Sequence, residues 1–124
     1  TASVAAPIWR GEFCAKIPLA AIDTAGGVFA YAPPDTAKTW IFERVILDIT
    51  TQSSSACTVS IGVAANATTL NATLVSGQSV ATAGVFTATA VQKYTASTQF
   101  VTGSVASGAS AGLVGFAYLH FRLV

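Results

Sequence analysis

The sequence predicts an all-β domain, a single β-sandwich of seven or eight short strands joined in a jelly-roll-like order. Three observations point there. Segments rich in Val, Ile, Phe, Tyr and Thr recur along the chain, clusters of Gly, Pro, Asn and Ser separate them, and no stretch keeps a helical period. An immunoglobulin-like sandwich is the alternative arrangement for the same pattern.

A chain of 124 residues matches one domain and buries enough surface to fold without a metal or a disulfide framework. Residues 1–124 are therefore read as one unit, with 1–11 as an extended N-terminal arm. The first strand is expected from Glu12 to Ile22, with Phe13, Ala15, Ile17 and Leu19 on one face and Lys16 on the other. Pro18 lacks a donor N–H and restricts this strand to a sheet edge or a bulge. After the turn at Asp23-Thr24-Ala25-Gly26-Gly27 comes a second strand, Val28 to Ala32, stopped by Pro33-Pro34.

The third strand, Trp40 to Thr51, is apolar on both sides. Strict alternation puts Ile41, Glu43, Val45, Leu47 and Ile49 on one face, and Trp40, Phe42, Arg44, Ile46 and Asp48 on the other. Such a strand has a core on one side and a neighbour on the other, where Arg44 and Asp48 need partners. Cys57 to Val63 is simpler, with Cys57, Val59, Ile61 and Val63 inward.

Residues 64–83 are small and polar, with Leu70, Leu74 and Val75 as the few anchors, and read as a long loop of the kind that carries function or an interface. A strand restarts at Gly84-Val85-Phe86 and is expected to continue through Val91 and Tyr94. Two closing strands, Thr98 to Ser104 and Leu113 to Val124, read as a hairpin across a Ser-Gly-Ala loop. The last one sets Val114, Phe116, Tyr118 and His120 against Leu113, Ala117, Leu119 and Phe121, and again both faces are apolar.

Composition then addresses function. The chain is 52% hydrophobic and 9% charged, against about 25% charged in an average soluble domain. So few charges imply that part of the exterior is covered by another molecule. Lipid fits poorly, because no run approaches the about 20 apolar residues of a spanning helix, and the last strand lacks the alternation of a membrane barrel. Nucleic acid fits poorly too, since the net charge is +1 and the six basic residues are scattered. The N-terminus has no basic-then-apolar signal sequence, and Thr1 is a small residue of the kind left when an initiator Met is removed, so these residues are expected to be the entire mature product.

Catalytic patterns fail on context. Gly108-Ala109-Ser110-Ala111-Gly112 spells the nucleophile-elbow pattern, but no acid follows Ser110 and the next element is a strand rather than a helix, so it reads as turn chemistry. His120 is the only histidine, and Cys14 and Cys57 lack metal-site spacing; both cysteines are expected as free thiols acting as small buried hydrophobes. The sequons Asn66-Ala67-Thr68 and Asn71-Ala72-Thr73 read as turn formers. Among the five acids, Glu43 and Asp48 fall on opposite faces, and no pair is placed as glycoside hydrolysis requires. No enzyme activity and no cofactor are expected.

The segment Ile61-Gly62-Val63-Ala64-Ala65-Asn66-Ala67-Thr68-Thr69, with Gly84-Val85-Phe86 and the ending Gly108-Ala109-Ser110-Ala111-Gly112-Leu113 through Tyr118-Leu119-His120-Phe121, resembles the head decoration, or cement, proteins of tailed bacteriophages. The resemblance implies a structural virion protein, made in the host cytoplasm and mounted on the capsid surface as a dimer or trimer that bridges major capsid subunits. The expected interface residues are Trp40, Phe42, Arg44, Asp48, Phe116, Tyr118 and His120. A receptor- or glycan-binding module is the alternative function.

Overall fold

The computed structural model describes residues 12–19, 28–31, 38–54, 56–66, 68–95, 98–106 and 112–124. They form nine strands: β1 (Glu12–Pro18), β2 (Val28–Tyr31), β3 (Thr39–Thr51), β4 (Thr58–Ala64), β5 (Val75–Ser79), β6 (Gly84–Ala88), β7 (Gln92–Thr95), β8 (Phe100–Ala106) and β9 (Val114–Leu123). The expected arm at 1–11 and Ser110 lie outside the described residues.

All pairings are antiparallel. The first sheet runs β1-β9-β3-β6, with β7 also on β3, and the second runs β2-β8-β4-β5. Because β6 meets β3 at 45–49 and β7 meets it at 39–42, these two act as halves of one interrupted strand. Counted so, first pairs with last, second with second-last, third with third-last, and the middle two together. That nested order, rolled into two layers, is the jelly roll. It sets aside the immunoglobulin-like alternative and corrects the expected final hairpin: β8 lies in the second sheet and β9 in the first, so the two do not pair. Gly112, at φ 82°, turns the chain into β9.

Pro18 ends β1, an edge of the first sheet, as its missing donor requires. The interior holds Leu47, Ile49, Ala117 and Leu119 of the first sheet against Val59, Ile61, Val101 and Val105 of the second, all buried. At one end of the sandwich Trp40 meets Phe13 and Phe121 edge-on at 5.2 and 5.1 Å, and Phe42 packs on Tyr94 and Phe121 at 5.2 and 5.5 Å. Aromatic pairs in such tilted arrangements add about 0.5–1.5 kcal/mol each beyond area burial. The Tyr94 hydroxyl is accommodated by donating to the Gln99 carbonyl at 2.9 Å.

The stretch expected as one long loop, 64–83, contains β5 and folds back over the second sheet. Asn66 Oδ1 accepts from the Thr68 and Thr69 amides at 3.0 and 2.7 Å, the turn role read from its sequence. Ahead of the start of β5, Asn71 Nδ2 donates to the Val63 carbonyl at 2.8 Å, and Thr73 Oγ1 accepts from the Val63 amide at 3.0 Å. Side chains thus complete the ladder where no strand does. A Cβ at Gly62 would lie 2.5 Å from the Asn71 carbonyl carbon, so only glycine admits this approach. Buried Thr102 donates to the Thr69 carbonyl at 2.8 Å and ties the cover to β8.

Two substitutions test this arrangement. At position 115 a Cβ would stand 2.2 Å from the Asp48 carbonyl oxygen and 3.1 Å from Ile49 Cα, a backbone clash, so Gly115→Ala should lower unfolding stability by about 1–3 kcal/mol. Denaturant titration measures it, and unchanged stability would contradict the β3–β9 register. Thr102→Val should cost about 1 kcal/mol and raise amide exchange at 68–73; exchange left as in the parent would mean that this hydroxyl does not hold the cover.

Candidate functional site

The outer face of the first sheet carries the chemistry that composition alone could only count. Its centre is a bulge in β3: Phe42 is opposite Phe121 and Arg44 opposite His120, which leaves Glu43 as the extra residue. Glu43 and Arg44 are adjacent charges inside an apolar run, and regular alternation would bury one of them at a cost of several kcal/mol. The bulge lets both face water. It also shifts the phase of the strand, so that Trp40 and Phe42 on one side of it and Val45, Leu47 and Ile49 on the other all point inward.

This corrects the alternation read from sequence in two ways. Trp40, 3% exposed, and Phe42, 0% exposed, are core residues and present nothing to a partner. Glu43 and Asp48 share the outer face instead of opposing one another. The other five expected interface residues, Arg44, Asp48, Phe116, Tyr118 and His120, do come together on that face.

The registers build it as a grid. Cys14, Lys16 and Pro18 of β1 stand opposite His120, Tyr118 and Phe116 of β9. These three in turn stand opposite Arg44, Ile46 and Asp48 of β3, and Ile46 and Asp48 stand opposite Thr87 and Val85 of β6. Lys16 Nζ lies 4.0 Å above the Phe116 ring and 5.9 Å from that of Tyr118, and the two rings are 6.4 Å apart. The lysine stem and ammonium so cover the aromatic pair from the sheet edge. Phe116, Tyr118, Ile41 and Ile46 are half-buried, while Val85 is 68% exposed.

Toward the other end of β9, Arg122 grips Glu43 through two guanidinium nitrogens: Nε donates to Oε1, and Nη2 to Oε2 at 3.0 Å. That fork holds the Glu43 carboxyl below the usual carboxylate range, with the charges of Arg44 and His120 acting in the same direction. Two-point geometry fixes β3 to β9 across the bulge, where the ladder is interrupted.

Sequence reasoning missed Lys16, Ile41 and Val85 as members of this face, and it set Ile46 beside Arg44 and Asp48 without counting it among the interface residues. A signal for the β3 members existed in the Glu43-Arg44 pair, which marks the phase change; Lys16 and Val85 enter through strand neighbours that alternation does not reveal. Cysteine expectations divide. Both thiols are free, but only Cys57 is buried, and its thiol is pushed up by desolvation; Cys14 is exposed on the outer face with Sγ 3.8 Å from His120 Nε2.

The second sheet contrasts with the first. Charged residues within the described strands are Glu12, Lys16, Glu43, Arg44, Asp48, Lys93 and Arg122, all in the first sheet, and β2, β4, β5 and β8 contain none. Outward from the second sheet stand Ser60, Gly62, Thr102 and Ser104, partly covered by the chain's own 66–73 segment. Among the described residues no pocket occurs, and no three His, Cys, Asp or Glu side chains converge as a metal site. The outer face of the first sheet is a mixed surface of half-buried aromatic and charged side chains.

No protein-family model and no curated protein matches the chain. Among solved structures it is similar to a chain of the acidic stable capsid structure of Helicobacter pylori bacteriophage KHP30, with a TM-score of 0.59 and 19% sequence identity, over 91% of this chain and 87% of that one. At that identity the likeness establishes a shared fold, which spans nearly the whole of both chains.

Proposed function

We propose that this chain is a structural virion protein, a capsid decoration protein that oligomerises and stabilises a bacteriophage head by bridging major capsid subunits through the outer face of its first sheet. The observation that carries the reading is the likeness of fold, over nearly the full length of both chains, to a chain of a phage capsid structure. The face itself supports it. Aromatic and arginine side chains at a surface with few lysines and acids beyond those already paired are the composition of protein interfaces. In this reading the chain catalyses no reaction and resides on the capsid surface after synthesis in the host cytoplasm.

Size argues for repetition. Four strands about 4.8 Å apart, taken over the seven-residue length of β1 at about 3.4 Å per residue, make a patch of about 450 Å². A standard interface buries about 800 Å² per partner. One copy would thus bind weakly, and linking copies as a dimer or trimer on a symmetric shell would multiply the effect through effective concentration.

Sedimentation of the purified chain with capsid shells of its phage tests the reading. Phe116→Asp with Tyr118→Ser should weaken shell binding at least about tenfold, equivalent to about 1.4 kcal/mol, while circular dichroism stays that of the parent. Ser76→Asp, on exposed β5 of the second sheet, should leave binding unchanged. A parent chain that is monomeric at micromolar concentration and does not sediment with shells would overturn the proposal; glycan-array binding in its place would support a receptor-binding module.

A further inference from the structure

The pair Cys14 and His120 has a geometry that the assembly reading does not use. The two residues face each other across the β1–β9 ladder on the outer face, with Sγ and Nε2 3.8 Å apart. Zinc bonds thiolate at about 2.3 Å and imidazole at about 2.0–2.1 Å, so two such ligands on one tetrahedral ion stand about 3.6 Å apart. The observed separation is close to that bite. Neighbouring strands hold the two ligands at it, so little order remains to be imposed on binding. Soft sulfur with imidazole selects a thiophilic d10 ion over magnesium or calcium.

No third His, Cys, Asp or Glu converges on the pair among the described residues, and a structural zinc takes four ligands. Cys14 is exposed, and β1 is an edge strand, so a second copy can reach the same ion. We propose that Cys14 and His120 form half of a zinc site, which two copies of this chain complete as a Cys2His2 tetrahedron. As two S–Zn bonds form, two thiol protons pass to the buffer, and no electrons are exchanged. Two thiolates cancel the charge of Zn²⁺, so Arg44, opposite His120, faces a neutral centre. The inference does not depend on the capsid reading, since it concerns the chain with itself.

The test uses the intact chain in a reductant that does not bind metal, so that a disulfide dimer is excluded. Adding ZnCl2 at half an equivalent per chain should double the mass by light scattering, release about two protons per zinc, and be reversed by EDTA. Cobalt in place of zinc should give thiolate-to-metal charge-transfer absorption. Cys14→Ser and His120→Ala should each abolish the zinc-dependent dimer, and Cys57→Ala should keep it. Circular dichroism establishes that each variant is folded, and either ligand variant suffices. Absence of zinc binding by the parent, one zinc per chain without dimerisation, or a zinc dimer that survives Cys14→Ser would overturn the proposal. Shell sedimentation in EDTA separates this outcome from that of the capsid reading.

Discussion

Much of the molecule depends on one irregularity, the bulge that lets Glu43 and Arg44 both face water in the middle of β3. A strand with apolar residues on both sides has two candidate inner faces, and regular pleating would place either an acid or a base in the core. Inserting one residue removes that conflict, at the cost of an interrupted ladder between Phe42 and Arg44. The Glu43–Arg122 fork spans the interruption. Upstream of the bulge the aromatic cluster around Trp40 and Phe42 closes one end of the sandwich, and downstream Val45, Leu47 and Ile49 line its middle.

The rest of the architecture distributes what the bulge begins. Nested antiparallel pairing divides the strands between two layers, so a chain with few charges becomes a sandwich whose first sheet carries the charged strand residues and whose second carries none. The neutral layer is partly covered from within: glycine at 62 admits the backbone of 71–73, and Thr102, Asn71 and Thr73 satisfy groups that a missing strand would leave unpaired. The charged layer keeps its outer face open, with half-buried aromatics under Lys16. This asymmetry distinguishes the two exteriors more sharply than overall composition does.

Shared fold at 19% identity with a phage capsid chain follows from how little such a sandwich demands of its sequence. Each strand must present small or medium apolar residues every second position toward the interior, and many sequences do so. Outer faces are free to diverge, so the likeness of fold supports the capsid reading while the surface that would make the contact is argued from named side chains of the first sheet. Close approaches such as Gly115 against Asp48 are the exceptions, where backbone contact leaves no choice of residue.

The sequence by itself determined the class of fold, most strand positions, the inward set of β4 and β9, the restriction of β1 to an edge or a bulge through Pro18, and the turn at Asn66. Each of these is a local property: alternation, a missing donor, or a short polar side chain bonding its own backbone. Placement of Phe116, Tyr118 and His120 away from the core was legible for the same reason. Only the tertiary structure decided that Trp40 and Phe42 are interior, that β8 and β9 lie in different sheets, that residues 75–79 form a strand, and that Lys16, Cys14 and Ile46 join the face of β9. Those outcomes depend on which strand lies beside which and on where a ladder slips by one residue. A one-residue slip reverses every side chain beyond it, and it is settled by the burial of distant partners rather than by the strand's own pattern.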